Sequence, residues 1–213
     1  MLTVHHLEKS QSERIVWLCE ELSIPYDLKI YERDSITMLA PPGYKALHPL
    51  GAAPIITDGD IVLAESAAIV DYIATRHGGG RLTIAPDKPG YANFLYWFHF
   101  VNGTLQPAFG RNMVLKRGGV AADGPVMIAT FDRLRLALGM VDGRLKRNAY
   151  LAGEDLTAAD IMMVFTLTTM RYFIPFDLTP FPAILAYLQR IAERPSYRVA
   201  MAKGDPDMPL LLT

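Results

Sequence analysis

The sequence feature that most constrains the fold is residues 50–72, LGAAPIITDGDIVLAESAAIVDY. Pro54 is incompatible with a helix at that point, and the β-branched runs on either side of Asp58-Gly59 have the length of short strands. Asp-Gly between such runs predicts a β-hairpin, because glycine adopts positive φ without steric cost. Glu65 and Ser66 follow directly and open a segment whose apolar residues recur at helical spacing. The stretch therefore predicts a hairpin that runs straight into a helix.

Two polar side chains, Glu65 and Ser66, lie at this predicted junction. The first turn of a helix presents N–H groups without intrahelical partners and a partial positive charge, which suit a carboxylate ligand. Pro54 stands at the other side of the same small region. The junction is a candidate binding site. The plainer interpretation is that Ser66 is an N-cap and Glu65 an acid that complements the helix dipole.

The residues that precede this stretch have the pattern of a β-α-β unit. Residues 2–7 and 26–31 alternate with period two and predict strands, whereas residues 10–22 carry apolar side chains at helical spacing. Ser10 with Glu13 is a capping-box pattern that places the helix start at Ser10, and Pro25 ends the helix. A helix between two strands predicts a parallel pair with a right-handed crossover. Residues 32–49 predict a short irregular helix or a loop.

The chain changes character after the hairpin and its helix. Gly78-Gly79-Gly80 ends that helix, and no strand pattern follows Gly90. Thr157 with Asp160 predicts an N-cap in front of an apolar helix that should be buried. The predicted fold class is an α/β domain of order βαβαββα followed by an all-α domain. The predicted boundaries are residues 1–80 for the first domain, 81–90 for a linker and 91–213 for the helical domain.

Charge, cysteine content and motifs exclude several classes of function. A net charge of −1, with no run of more than two basic residues, is not typical of proteins that bind nucleic acid or anionic membranes. Cys19 is the only cysteine and lies on the apolar helix face, which indicates an inert core residue. Adjacent His5 and His6 point to opposite faces of a strand and do not predict a metal site. Nucleophile-elbow, P-loop and HExxH patterns are absent. Because no signal peptide or membrane-spanning run is visible, the expected location is the cytoplasm.

Three stretches, taken together, resemble one family. Residues 10–22 are similar to the first helix of the cytosolic glutathione transferases, residues 48–69 to their glutathione-site motif, and residues 151–160 to the capping-box motif of their second domain. The resemblance implies a thioredoxin-like first domain and a helical second domain. The opening HLEKSQSER, with Tyr96-Trp97 and Phe181-Pro182, is similar to a bacterial and fungal serine-type subgroup.

The resemblance also implies how glutathione, the co-substrate, would be held. Glu65 and Ser66 would bind its γ-glutamyl carboxylate and amine. Pro54 would be cis and turn the backbone N–H and C=O of Ala53 towards the cysteinyl part. Many relatives carry Lys where this chain has Ala52, so the glycine carboxylate would need a cation from elsewhere. The candidates for that contact are Lys45, His48 and Arg33.

The resemblance implies that Ser10 stabilises the glutathione thiolate, with Ser12 as the second choice; taken alone, such a serine is more often only a helix cap. A free thiol has a pKa of about 8.5, so making it mostly thiolate at neutral pH needs a drop of roughly 2 units, or about 2.7 kcal/mol. A hydrogen bond to a charged group contributes roughly 1.5–3 kcal/mol, and a helix N-terminus about 0.3–2 kcal/mol. One hydroxyl and the helix dipole are sufficient, so neither a metal nor a basic residue is needed.

The function expected from the resemblance is that of a homodimeric, cytoplasmic glutathione transferase with a detoxification role. It would conjugate glutathione to small hydrophobic electrophiles or reduce organic hydroperoxides with it. An apolar pocket for the second substrate would be lined by Phe109, Met113, Tyr172 and Phe173. Two alternatives are a non-catalytic glutathione-transferase-like binding or assembly module and a glutathione-dependent disulfide-bond reductase.

Overall fold

The computed structural model describes all residues, 1–213, and its first part is built on a four-stranded sheet. The elements in chain order are β1 (Leu2–Leu7), α1 (Glu13–Leu22), β2 (Asp27–Tyr31), α2 (Pro42–Lys45), β3 (Ile55–Asp58), β4 (Ile61–Ala64) and α3 (Ser66–Arg76). The strand order is β2-β1-β3-β4; β1 and β2 are parallel, and the other two pairs are antiparallel. The predicted β-α-β unit, the hairpin at Asp58-Gly59 and the thioredoxin-like fold class are confirmed.

The start of the first helix differs from the prediction. The helix α1 begins at Glu13, and its N-cap Ser12 makes no side-chain capping bond. Glu13 N–H donates to the backbone carbonyl of Ser10 at 3.1 Å, so no capping box forms. The serine hydroxyls are instead bonded to one another, with 2.7 Å between the two Oγ atoms. Capping-box spacing was therefore misleading, because the Ser10 hydroxyl accepts from the backbone N–H of Ser12 at 3.2 Å and not from that of Glu13.

The second part of the chain is entirely helical. Its elements are α4 (Tyr91–Phe100), a π-helical segment (Val101–Leu105), α5 (Gln106–Arg117), α6 (Pro125–Leu145), α7 (Ala158–Leu167), a 3-10 turn (Thr169–Tyr172), α8 (Pro182–Ala192) and α9 (Pro195–Gly204). Thr157 and Asp160 form the predicted capping box at the start of α7, and every residue of that helix is buried. None of the helices combines the length and the apolar composition needed to cross a membrane.

One hydrophobic core joins the two parts of the chain. Helix α1 packs against α3, α7 and α9. Trp17 of α1 meets Tyr197 of α9 edge to face, with ring centroids 5.1 Å apart. Cys19 is fully buried, as predicted, and burial raises the pKa of its thiol to about 12. Because α1 is enclosed by these helices, the charged residues Glu13 and Arg14 are buried as well.

Candidate functional site

A cavity of about 300 Å³ lies where the hairpin–helix junction meets the helical part of the chain. This volume is at the lower end of the range for small-molecule sites. Four predicted binding residues, Ala53, Pro54, Glu65 and Ser66, line it together. The remaining lining residues are Gln11, Leu50, Ala52, Ala64, Asn102, Gln106 and Pro107. The residues that the sequence placed at one junction therefore share one cavity, and their roles towards a ligand remain predictions.

Backbone conformation fixes both walls of this cavity. The Ala53–Pro54 peptide bond is cis, as predicted, and stands directly before β3. Across the cavity, Glu65 has φ +72° and ψ +114° in the single residue between β4 and α3. A positive φ is strained for a residue with a side chain, and such residues concentrate at ligand sites. Glu65 is exposed at the cavity, whereas Ser66 behind it is buried.

Arg14 supports the cavity from behind and was not predicted to be part of the site. Its Nη1 donates to Gln11 Oε1 at 2.5 Å and to Ser66 Oγ at 3.1 Å. Ser66 Oγ donates in turn to Gln11 Oε1 at 3.1 Å. Arg14 is only 1% exposed and forms no ion pair, and burial lowers its pKa to about 9. A buried cation without a carboxylate partner favours an anion in the cavity next to it.

The helical part of the chain contributes amides to the opposite wall. The π-helical segment Val101–Leu105 carries Asn102, whose Oδ1 is buried without a partner, and leads directly into Gln106. Gln106 Oε1 also accepts from Arg14 Nη2 at 3.3 Å. Short π-helical turns are rare and concentrate at functional sites. The one sequence feature that could have indicated these site residues is Asn-Gly-Thr, which interrupts an otherwise apolar helix.

The two candidate catalytic serines lie beside the cavity rather than in its lining. Ser10 is 5% exposed and directly precedes Gln11, which does line the cavity. Ser12 has no exposed surface, and its Oγ accepts from Leu7 N–H at 3.1 Å. Both serines flank Gln11 in the sequence, but Ser10 alone keeps some exposed surface.

The candidate cations for a glycine carboxylate are outside the cavity lining. Lys45 is exposed, forms no ion pair and borders a separate open cleft of about 660 Å³. His48 is half-buried, and its Nδ1 accepts from Leu50 N–H at 3.2 Å. The Arg33 guanidinium donates to three backbone carbonyls and stacks on a phenylalanine ring, so it is already occupied. Of the three, Lys45 is the free cation.

A second cavity, of about 510 Å³, lies between α5, α6 and the segment after α7. Three of the four residues predicted for an apolar pocket line it, namely Phe109, Met113 and Phe173. Tyr172 does not line it, because its hydroxyl is turned away and donates to the backbone carbonyl of Pro209. Most of the other lining residues are apolar as well, including Phe131 and Phe176. The lining suits a hydrophobic molecule.

The fold and the cis-proline cavity define a thioredoxin-like domain joined to a helical domain. Residues 10–76 match the model of the glutathione S-transferase N-terminal domain, and residues 121–195 match that of the C-terminal domain. Glutathione S-transferase 3 of Schizosaccharomyces pombe is 31% identical over 220 residues, which cover 96% of this chain and 88% of the relative. The crystal structure of a glutathione S-transferase from Actinobacillus pleuropneumoniae has a TM-score of 0.85 at 34% identity, covering 96% of this chain and 93% of that one. A sphingomonad glutathione S-transferase solved with glutathione has a TM-score of 0.74 at 20% identity, covering 94% of this chain and 98% of that one, which shows the shared fold alone.

These matches extend over nearly the whole chain and include a relative above 30% identity. The chain belongs to the cytosolic glutathione S-transferase superfamily.

Proposed function

We propose that this protein is a glutathione transferase that binds glutathione in the cis-proline cavity and conjugates its thiolate to small hydrophobic electrophiles. The observation that carries the proposal is the convergence of Ala53, Pro54, Glu65 and Ser66 on one cavity of about 300 Å³. Family membership supports the class of reaction. The relatives named above carry glutathione S-transferase in their names, and the sphingomonad structure contains glutathione.

The charges around the cavity match the two ends of the γ-glutamyl group. The Glu65 carboxylate is exposed at the cavity and suits a protonated amine. The N-terminus of α3 and the buried Arg14 behind Ser66 favour a carboxylate beside that amine. A zwitterionic amino-acid group has both charges a few bonds apart. A neutral ligand would leave the Arg14 charge uncompensated at some energetic cost.

Ser10 is the residue proposed to donate a hydrogen bond to the thiolate. It follows β1 and precedes α1, so a sulfur at this point also experiences the positive end of the α1 dipole. A thiolate is the nucleophilic form of the thiol, and stabilising it raises the reactive fraction at neutral pH. The protein's own contribution is thiolate stabilisation together with the proximity of two bound substrates.

The second substrate is proposed to bind near the apolar cavity at Phe109, Met113 and Phe173. The helix α5 connects the two cavities, because Gln106 lines the first and Phe109 the second. Reduction of organic hydroperoxides would use the same thiolate and is proposed as a side activity. A homodimer is proposed as well, and the outer face of α4 supports it because Tyr96 is 47% exposed there. Cytoplasmic location and a detoxification role complete the proposal.

Retention on glutathione-agarose, followed by assays with chlorodinitrobenzene, cumene hydroperoxide and hydroxyethyl disulfide, tests the proposal. Turnover of the first substrate supports conjugation, and turnover of the second supports peroxide reduction. Retention without turnover of any substrate would favour a non-catalytic binding module. Turnover of the disulfide alone would favour a disulfide-bond reductase. Failure to bind glutathione at all would refute the proposed site.

A further inference from the structure

Four side chains beside the cavity form one continuous chain of hydrogen bonds. Ser10 Oγ lies 2.7 Å from Ser12 Oγ, which lies 2.9 Å from His6 Nδ1. On the other side of the ring, His6 Nε2 lies 3.0 Å from Asp205 Oδ2. The four residues are almost completely buried, with Asp205 the most exposed at 6%. The chain of bonds therefore joins the edge of the cavity to the end of α9 through the interior.

The bonding partners fix the protonation pattern of this chain when no ligand acts on it. An ionised carboxylate only accepts hydrogen bonds, so the Nε2 atom facing Asp205 carries the ring proton and the neutral ring accepts at Nδ1. Ser12 Oγ lies 2.9 Å from Nδ1 and 3.3 Å from the Leu7 carbonyl, so its hydroxyl donates over the shorter contact to Nδ1, and the Ser10 hydroxyl is the donor to Ser12 Oγ. In this state Ser10 offers lone pairs, not a proton, to a ligand. A thiolate would not be stabilised by it.

We propose that Ser10, Ser12 and His6 form a proton relay that carries the thiol proton of bound glutathione to His6 Nδ1, with Asp205 as the counter-ion. The inference rests on the proposed function. The S–H bond breaks as its proton passes to Ser10 Oγ, the Ser10 proton passes to Ser12 Oγ, and the Ser12 proton passes to Nδ1. The products are a thiolate, two neutral hydroxyls and an imidazolium, so the net charge is unchanged. Each hydrogen bond along the serines is reversed, and Ser10 now donates to the sulfur.

The surroundings of His6 are suited to a buried imidazolium. Asp205 supplies the opposite charge, and its other oxygen is held by Lys9 N–H at 2.9 Å. The further charged or titratable groups that act on Asp205 are Arg33 at the end of β2 and Glu13 of α1. Burial raises the pKa of Glu13 to about 8, so at neutral pH this residue is protonated and does not compete as an anion.

The backbone of α9 also fits the imidazole ring closely. A side chain at Gly204 would place its Cβ 3.0 Å from His6 Nε2, so any other residue before Asp205 would press on the ring and require it to shift. Only Ser10 of the relay would touch the substrate. His6, Ser12 and Asp205 are positioning residues that act through it.

The relay is tested by two readouts on the same samples of full-length protein with glutathione. The first is the ultraviolet absorbance of the bound thiolate as a function of pH. The second is the number of protons released to a weakly buffered indicator solution for each thiolate formed, with S-methylglutathione, which has no thiol proton, as the baseline. The parent is compared with Asp205→Asn and Ser12→Ala over the same range of pH. His77→Asn is the matched control, because His77 pairs with Asp58 at 2.7 Å away from the site.

The relay predicts close to zero protons released per thiolate in the parent and in His77→Asn, because His6 retains the proton. The thiolate absorbance of both should therefore change little with pH where the relay operates. It predicts close to one in Asp205→Asn and Ser12→Ala, whose thiolate absorbance should be lower at neutral pH and rise with pH as a one-proton titration. Ser12→Ala leaves the His6–Asp205 pair intact, so this variant alone can test the relay if Asp205→Asn does not fold. One proton per thiolate in the parent overturns the relay, as do both variants titrating like the parent. If Ser10→Ala then still loses the thiolate, the proposed function stands without the relay. A parent that binds no glutathione refutes both.

Discussion

Replacing Glu13 by glutamine should remove a pH dependence of folding stability that the buried acid creates. Glu13 is 4% exposed, and one of its carboxylate oxygens has no hydrogen-bond partner. Burial, with a smaller contribution from nearby Asp205, raises its pKa from 4.5 to about 8, and the Thr169 hydroxyl opposes the shift only partly. The folded protein therefore holds a proton on Glu13 that the unfolded chain has already lost over most of this interval.

The sign and size of the effect follow from linkage. A group whose pKa is raised on folding contributes stability below its unfolded pKa and loses it as pH rises through the folded value. Each pH unit inside the window is worth about 1.36 kcal/mol, so the free energy of unfolding should fall by about 2.5 kcal/mol from about pH 5.5 to about pH 7.5. Because the side chain is buried, the figure needs no reduction for solvent screening.

Urea unfolding followed by tryptophan fluorescence at several pH values measures this effect. The parent should lose stability across the window relative to Glu13→Gln, which cannot titrate. Glu154→Gln, a change of the same chemical kind at an exposed position, is the control and should keep the parent's slope. Parallel curves for the parent and Glu13→Gln would refute the argument that burial keeps Glu13 protonated.

Three further predictions concern the site and the helical domain. Ser10→Ala should raise the pKa of bound glutathione by roughly 1–2 units in an ultraviolet titration, as expected for loss of one charge-assisted hydrogen bond, and an unchanged curve would contradict the proposed role. Lys45→Met should raise KM for glutathione about two- to five-fold with kcat unchanged, the size expected of an exposed ion pair; an unchanged KM would place the glycine carboxylate elsewhere. Asp142→Ala should destabilise the fold by about 1–3 kcal/mol in urea unfolding, because Asp142 Oδ1 accepts from Ala183 N–H at 2.8 Å at the start of α8. Asp142→Asn should recover part of that loss, and equal losses would argue against capping.

Local sequence patterns predicted most of the first domain. Asp58-Gly59 predicted the hairpin, and Pro54 followed by short apolar runs predicted the strands, because these choices depend on backbone sterics within a few residues. Thr157 and Asp160 predicted the cap of α7 for the same reason. The capping box proposed at Ser10 was wrong, because the Ser10 hydroxyl bonds to the hydroxyl and the backbone N–H of Ser12, and Ser12 bonds in turn to His6 of β1. A spacing rule of this kind fails where another neighbouring group offers the hydroxyl a different hydrogen bond.

The residues that support the site from behind could not be predicted from the sequence. Arg14 has the spacing of a surface residue on α1, and it is buried because Ser66 of α3, Gln106 of α5 and Thr166 of α7 pack around its guanidinium. Nothing in the sequence around Gln106 indicated a site residue either. It lines the cavity at the point where the π-helical segment ends. The periodicity of one segment shows which of its faces is apolar, but it does not show which other segment will pack on it.

The sequence by itself determined the secondary structure, the junction at Glu65-Ser66 and the fold class, because turn chemistry and apolar periodicity are encoded within a few consecutive residues. Only the tertiary structure decided that Asp205 would lie against His6, 199 positions away in the sequence. The packing of α9 on α1 and the closely fitting Gly204 produce that contact. The energetic reason is burial: water is excluded around the pair, and polar groups cut off from water must find partners wherever the chain folds them together.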